Sequence, residues 1–374
     1  MVIAFDAKRL FHNFTGLGNY SRTLVKNLQF FYPEHSYHLF TSKFSVNEES
    51  KYFLDKEKFT IHTSSNPLWR SFGMRREINS LRPDIYHGLS HEIPTGLHPS
   101  ICQLVTFHDL IYEIYPHQFG LWDRKMYQKK YRRSAKLADG IIAISQSTKQ
   151  DLLTYYQIPG KKVKVLFQSC NEVFQTNIPA MKTDLIQEKD YFLYVGSLIE
   201  RKNVENILRA FAKLDESQRK PFILVGSGLK NYVQHLKKMM HSLNIQQWFR
   251  MIPHVSNEQL VSLYDHAFAL VYPSIYEGFG IPVIEALFRK KPVISSQISS
   301  LPEACGPGGL LVDPYQIDEL SNALVEVQQN QVHKCLTEDG YKYVSQTFSS
   351  KVTTEAVMAY YEAMNNTNKA ILPS

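Results

Sequence analysis

Short apolar runs alternate with longer segments of helical periodicity along the whole chain. Runs rich in β-branched and aromatic residues predict strands at residues 2–5, 36–40, 85–87, 101–106, 140–144, 191–195, 222–225, 249–252, 267–271 and 292–295. Apolar residues three and four positions apart predict helices at 20–31, 123–138, 147–156, 204–213, 230–243, 257–265, 282–288 and 350–364. Because the strands are apolar at consecutive positions, they are typical of a parallel sheet covered by helices on both faces.

The alternation of strands and helices occurs twice, with an interruption near residues 172–189. A polar stretch there precedes the strand that begins at Tyr191, as expected of a linker. The length of 374 residues also favours two domains, at roughly 150 residues each. We therefore predict an α/β protein with two Rossmann-like domains over 1–175 and 185–345, and a helix near 350–374 that packs back on the first. Ligands are expected at the carboxyl ends of the strands, in a cleft that the two sheets face.

Composition narrows the class of protein. Apolar residues make up 44% of the chain and mean hydropathy is −0.28, and no run approaches the ~18 apolar residues of a membrane-spanning helix. The opening residues do not have the regions of a secretory signal. Four isolated cysteines (Cys102, Cys170, Cys305 and Cys335) indicate neither a disulfide framework nor a zinc site. We expect a cytoplasmic protein.

Positive charge is concentrated in the first half of the chain. Residues 1–180 hold 23 Lys and Arg against 15 Asp and Glu, whereas the remainder holds 19 against 20. The predicted helix at 123–138 places Lys125, Lys129, Arg132 and Lys136 on one face. An anionic membrane, a phosphorylated acceptor or nucleic acid would fit this charge, but no nucleic-acid-binding module is recognisable. A solvated surface is the alternative.

The most informative run for the chemistry of the protein lies at 272–287. Its sequence is Tyr-Pro-Ser-Ile-Tyr-Glu-Gly-Phe-Gly-Ile-Pro-Val-Ile-Glu-Ala-Leu. It follows a predicted strand and leads into a predicted helix, in which Pro282 suits the first turn. Four backbone N–H groups at the start of that helix would form a site for phosphate or sugar oxygens: Gly278, Phe279, Gly280 and Ile281. Glu277 and Glu285, the latter expected in the first helical turn, would place a carboxylate on each side. A glycine turn with a capping glutamate is the structural alternative.

This string resembles the signature of the family 4 glycosyltransferases, two glutamates separated by seven residues around a Gly-Phe-Gly loop. The resemblance extends from Asp6 to Pro314 and implies a GT-B fold, a nucleotide-sugar donor and retention of anomeric configuration without a bound metal. It assigns Glu285 to the ribose and Glu277 to a hydroxyl of the donor sugar. No Asp-x-Asp sequence occurs, in agreement with a metal-independent site.

Further strings match the same family in the expected order. Arg201 and Lys202 follow the strand at 191–195, where cations can neutralise a diphosphate leaving group. Thr-Phe-His-Asp-Leu at 106–110 places His108 near the reacting sugar. The glycine loop at 15–20 places Gly16 and Gly18 toward donor phosphates or acceptor.

Two departures weaken the analogy to any particular member of the family. Where the family often has Asn-Gly-Val-Asp near the domain junction, the chain has Ser-Cys-Asn-Glu at 169–172. After the second glutamate, Phe-Arg-Lys-Lys at 288–291 replaces the usual small residue and glycine.

The resemblance predicts transfer of a hexose from a nucleoside diphosphate sugar to a glycan or lipid-linked hydroxyl in surface polysaccharide biosynthesis, such as lipopolysaccharide assembly. It favours GDP-mannose, with a UDP-sugar as the alternative donor, and no cofactor or metal is expected. Peripheral contact with the inner face of the cytoplasmic membrane would suit the basic half. The alternatives are a GT-B nucleotide-sugar epimerase or phosphorylase, or a non-catalytic basic binding protein.

Overall fold

Two parallel β-sheets form the framework of the protein. The computed structural model describes residues 1–64, 69, 73–176 and 190–371, which divide into two units. One unit comprises Met1–Ser169 with the C-terminal segment from Ser350, and the other comprises Cys170–Ser349. Part of the predicted junction at 172–189 lies outside the described residues. Each pairing between strands in both sheets is parallel, so the predicted α/β class is confirmed.

The first unit is built on a seven-stranded sheet. Its strands are β1 Val2–Asp6, β2 Ser36–Ser42, β3 Thr60–Ser64, β4 Ile85–Gly88, β5 Cys102–Phe107, β6 Gly140–Ala143 and β7 Val163–Val165. The spatial order is β3-β2-β1-β4-β5-β6-β7, so the chain reverses direction across the sheet between β1 and β4. Loops that follow these two strands diverge, which leaves a crevice at their carboxyl ends.

Helices cover this sheet, and the last helix of the chain joins them. They are α1 Lys8–His12, α2 Gly16–Phe31, α3 Met74–Leu81, α4 Ile111–Ile114, α5 Leu121–Leu137 and α6 Gln146–Tyr156. The final helix, Ser350–Ile371, contacts α2 and β5.

Buried hydrogen bonds hold the final helix against the centre of the first sheet. The ring of His87 on β4 has Nδ1 2.5 Å from the Tyr361 hydroxyl and Nε2 2.7 Å from Thr106 Oγ1. The Tyr20 hydroxyl of α2 lies 3.0 Å from the same Thr106 oxygen. Burial, with a smaller contribution from His108, lowers the pKa of His87 to about 3, so this imidazole is neutral. The network therefore satisfies buried polar groups without burying a charge.

The second unit repeats the design with six strands. They are β8 Tyr191–Val195, β9 Phe222–Val225, β10 Phe249–Ile252, β11 Ala267–Tyr272, β12 Val293–Ser296 and β13 Gly309–Val312. The order β10-β9-β8-β11-β12-β13 places the reversal between β8 and β11. Its helices are α7 Glu172–Gln175, α8 Val204–Ala212, α9 Lys230–Ser242, α10 Asn257–His266, α11 Ile281–Phe288, α12 Leu301–Cys305, α13 Ile317–Glu326 and α14 Asn330–Thr347, which makes the final helix α15.

The predicted strands and helices are all present, but three strands escaped the sequence analysis. β3, β7 and β13 lie at sheet edges, where each has a neighbour on one side only. β3 contains no fully buried residue, and β7 has only three residues. β3 and β7 lack the apolar run that reveals the central strands, whereas β13, with the sequence Gly-Leu-Leu-Val, has a short one that was not assigned to a strand.

Candidate functional site

The candidate donor site lies at the carboxyl ends of β8 and β11, where the second sheet reverses. After β8 the backbone of Gly196 passes so close to Gly226, which follows β9, that a Cβ on Gly226 would lie 1.9 Å from the Gly196 carbonyl oxygen. Gly226 also has φ of 143°, which a residue with a side chain rarely adopts. Glycine at position 226 therefore allows the ends of the two strands to approach each other.

Arg201, Lys202 and Glu277 are brought together at this position. The Lys202 ammonium contacts Oε1 of Glu277, and Nη1 of Arg201 lies 3.4 Å from Oε2. The Tyr272 hydroxyl, 2.5 Å from the Lys202 nitrogen, donates a 3.0 Å hydrogen bond to Oε1. The side chains of all three sequence-predicted residues are only 11–15% exposed.

Electrostatics keep this cluster ionised despite its burial. Burial alone would raise the pKa of Glu277, but the Lys202 and Arg201 charges outweigh it and hold the pKa below its ordinary value. Two cations thus share one carboxylate. Such a site can bind a further anion. Its position at the end of a strand suits a diphosphate.

The glycine loop leads directly into α11, as predicted. Gly280 precedes the helix with φ of 116°, and a Cβ there would come within 2.8 Å of Leu301. Ser300 Oγ donates to the carbonyl oxygens of Glu277 and Phe279, which fixes the loop from behind. The Phe279 side chain is buried edge-on against Phe348, so only its backbone could contact a ligand.

Glu285 lies in the second turn of α11, not in the first as the sequence suggested, because the helix begins at Ile281. Its carboxyl group is buried and accepts a 2.9 Å hydrogen bond from the Tyr264 hydroxyl. Burial raises the pKa of Glu285 from 4.5 to about 8, although Tyr264 opposes the shift. The folded chain therefore holds a proton that the unfolded chain releases between these pH values, and this group reduces stability as pH rises through that range.

The remaining predicted residues belong to the first unit. His108 follows β5 and is 5% exposed; its Nε2 donates a 2.9 Å hydrogen bond to the Leu89 carbonyl oxygen, which leaves Nδ1 as an acceptor. Burial, reinforced by His91, lowers the pKa of His108 to about 3. Gly16 and Gly18 lie in the first turn of α2, where a Cβ on Gly18 would overlap the Asn13 carbonyl at 1.7 Å but a Cβ on Gly16 would meet nothing within 4 Å.

Several residues that support the site were missed. Tyr272 and Tyr264 each hold one of the two glutamates, and Asn203 donates to the carbonyl oxygens of Pro273 and Pro314 from a left-handed backbone with φ of 61°. The only available signal was that Asn203 directly follows Lys202. Tyr272 begins the run at 272–287 but was given no role, and Tyr264 resembled an ordinary core residue, since the phenol buries mostly carbon.

The departure from the family after Glu285 has a structural role. Arg289 donates to both carboxylate oxygens of Asp265 at 2.7 and 2.6 Å, and to the Thr176 carbonyl oxygen at 2.6 Å. Lys290, at the position of the usual glycine, has φ of 56°. Arg289 thus anchors the segment that ends α7. Lys290 adopts a left-handed backbone conformation, which costs a lysine more free energy than a glycine.

The described residues contain neither a metal-binding cluster nor a membrane-spanning helix. Within residues 1–64, 69, 73–176 and 190–371, no three His, Cys, Asp or Glu side chains cluster as they would around a metal ion. None of the helices in that same part of the chain is both long and apolar enough to cross a bilayer.

Comparison with known proteins places this geometry in a family. The family model for glycosyl transferases group 1 matches residues 180–342, and that for glycosyltransferase family 4 matches residues 14–168. The chain is 28% identical to O-antigen chain mannosyltransferase B of Escherichia coli, over 96% of this chain and 99% of that protein. It is 31% identical to the O-antigen chain mannosyltransferase RfbU of Salmonella typhimurium, over 61% of each.

Solved structures agree on the fold. The structure of Anabaena Alr3699/HepE in complex with UDP-glucose superposes with a TM-score of 0.74 at 16% identity, covering 97% of this chain and all of that one. The two matched models together span most of the sequence, and the shared fold extends over nearly all of it. The chain therefore belongs to the group 1 glycosyltransferases of family 4, and it is a glycosyltransferase with the GT-B fold.

Proposed function

We propose that the protein transfers mannose from GDP-mannose to a hydroxyl of a glycan or lipid-linked acceptor in the assembly of a surface polysaccharide, with retention of anomeric configuration. The cluster of Arg201, Lys202 and Glu277 beside the start of α11 carries this proposal. The mannosyltransferase names of two relatives favour mannose. A UDP-sugar is the alternative donor, because a structural neighbour was solved with UDP-glucose.

In the proposed reaction, the bond between the anomeric carbon and the diphosphate oxygen breaks, and a bond from that carbon to the acceptor oxygen forms on the same face. The acceptor proton passes to the departing diphosphate oxygen. Negative charge grows on the diphosphate as the bond breaks, and Lys202 and Arg201 would stabilise it. Buried partners already hold these cations in position, so they need little reorganisation during the reaction. The charge that they stabilise is greatest in the transition state, and their contribution is therefore greatest there.

Glu277 and His108 would contact the reacting sugars. The Glu277 carboxylate shares its cations with the incoming diphosphate and can then accept a hydrogen bond from a hydroxyl of the donor sugar. His108 stays neutral at physiological pH, so it would act as a hydrogen-bond acceptor through Nδ1 and not as an acid.

Removing the Lys202 ammonium tests the leaving-group role. Lys202→Ala should lower kcat by roughly 10²- to 10³-fold with a much smaller change in KM for the donor, whereas Lys202→Arg should retain part of the rate. Lys213→Ala, which removes an exposed lysine paired with Asp318, is the matched control. Steady-state release of free nucleoside diphosphate measures the rates. Equal kcat in Lys202→Ala and the control would refute the assignment, as would an acceptor-independent release.

The raised pKa of Glu285 predicts a pH-dependent donor affinity. An ionised carboxylate accepts ribose hydroxyls, so binding of the nucleotide sugar should tighten as pH rises from 6 towards 8.5. Glu285→Gln should weaken binding about tenfold or more at pH 8.5, from loss of a charge-assisted bond worth ~1.5–3 kcal/mol. At pH 6 the parent carboxyl is protonated and resembles the amide, so the difference should be small. Calorimetric titration at both pH values measures it, and a pH-independent ratio of dissociation constants would contradict the role.

The exposed face of α5 supports a peripheral membrane contact as part of the proposal. Leu121 and Trp122 are 74% and 86% exposed at its start, and Met126 is 42% exposed. Trp122, Met126 and Lys129 follow the i, i+4, i+7 spacing of one helical face. Exposed indole and aliphatic side chains beside lysines are typical of helices that lie at a lipid interface. Arg132 from the sequence-predicted stripe instead donates to the Tyr155 carbonyl oxygen at 3.0 Å.

The membrane contact is tested with the three lysines that remain of the sequence-predicted stripe, Lys125, Lys129 and Lys136. Replacing all three by Gln should weaken binding to anionic vesicles roughly a hundredfold, at ~1 kcal/mol per lysine, and leave donor affinity unchanged. The matched control replaces the exposed Lys213, Lys237 and Lys238 of the second unit, which removes the same charge. Cosedimentation at low and high salt gives the affinities. Parent-like binding by the α5 variant would exclude this helix as the contact.

A further inference from the structure

The first unit contains its own cavity at the point where its sheet reverses. The cavity, of about 270 Å³, is lined by Asp6, Glu92 and Thr95 on one side and by Lys130 and Arg133 on another. Asp6 ends β1, and Glu92 follows β4, so the two carboxylates flank the crevice between these neighbouring strands. Such a crevice is where α/β sheets bind ligands, and its volume suits one sugar ring.

The two sides of the cavity differ in chemistry. On the strand side, Asp6 is 8% exposed, and its Oδ1 accepts the Lys8 N–H at 3.1 Å, which fixes the orientation of the carboxylate. On the helix side, Lys130 and Arg133 come from consecutive turns of α5. The Ile93 N–H donates to Ser134 Oγ at 3.2 Å, which fastens the loop after β4 onto α5 and holds the two sides together.

Each side selects a different group of a ligand. Carboxylates accept hydrogen bonds from sugar hydroxyls, whereas an ammonium beside a guanidinium binds phosphate through charge-assisted bonds. A neutral sugar would use the carboxylates of this lining, and a free phosphate would use its cations. A sugar that carries a phosphate satisfies both sides.

We infer that this cavity binds the acceptor as a sugar phosphate, with hydroxyls at Asp6 and Glu92 and the phosphate at Lys130 and Arg133. The inference rests on the proposed function, since it names the class of acceptor for the same reaction. A soluble sugar phosphate and a lipid-linked one share this chemistry. The cations are on α5, the helix whose other exposed residues support the membrane contact.

Glucose 1-phosphate, glucose and inorganic phosphate serve as probes in ligand-observed NMR titrations of the full chain. Lys130→Gln with Arg133→Gln should weaken glucose 1-phosphate at least tenfold and leave glucose unchanged. Glu92→Gln should weaken glucose and glucose 1-phosphate alike. The matched control, Lys161→Gln with Lys164→Gln, removes the same charge from exposed positions of the first unit outside the cavity lining and should bind all three probes as the parent does.

The outcomes separate this inference from the function on which it rests. Parent-like binding of glucose 1-phosphate by the Lys130 and Arg133 variant overturns the inference, as does binding that Lys202→Ala abolishes, which would place the probe in the second unit. Inorganic phosphate that binds as tightly as glucose 1-phosphate overturns the sugar assignment. A nucleotide sugar that still binds in those cases leaves the proposed function standing, whereas its failure to bind removes that function. Tighter binding of the dodecyl ester of glucose 1-phosphate supports a lipid-linked acceptor, and equal binding supports a soluble one.

Discussion

The contact between the Lys202 ammonium and the Glu277 carboxylate is the interaction on which the candidate donor site depends. Neither charge would be stable alone at 11% exposure, because a buried ion without a partner costs several kcal/mol. Together with Arg201 and the Tyr272 hydroxyl, they form a cluster that holds two basic side chains next to a helix start. Serine hydroxyls donate hydrogen bonds to the Glu277 carbonyl oxygen, and Gly280 gives the loop its turn. These features hold the backbone of Glu277 in place.

Burial divides the titratable groups of the protein into two classes. Glu277 stays ionised because cations face it, whereas burial raises the pKa of Glu285 to about 8 despite a hydrogen bond from the Tyr264 hydroxyl. His87 and His108 follow the second pattern, and burial makes both neutral. Identical residue types thus acquire different roles from their neighbours, and a sequence motif alone does not specify those neighbours.

Much of the fold could be predicted from the sequence, because the buried positions of central strands and amphipathic helices form recognisable apolar patterns along the chain. Phe222–Val225 and Tyr191–Val195 are buried on both faces, and their apolar runs gave the strand bounds directly. Edge strands such as Thr60–Ser64 carry no such run. The site was predictable where residues are adjacent in the chain, as in the loop after β11. The cavity of the first unit was not, because its carboxylates and cations converge only through sheet order and the packing of α5.

We propose that residues of the second unit, without a divalent ion, neutralise the departing diphosphate. The direct measurement is the initial rate of mannose transfer from GDP-mannose, or of hexose transfer from a UDP-sugar, with and without excess EDTA. Equal rates are expected, because Lys202, Arg201 and the amides that begin α11 would supply the positive potential. A rate that collapses in EDTA and is restored by magnesium or manganese would contradict it.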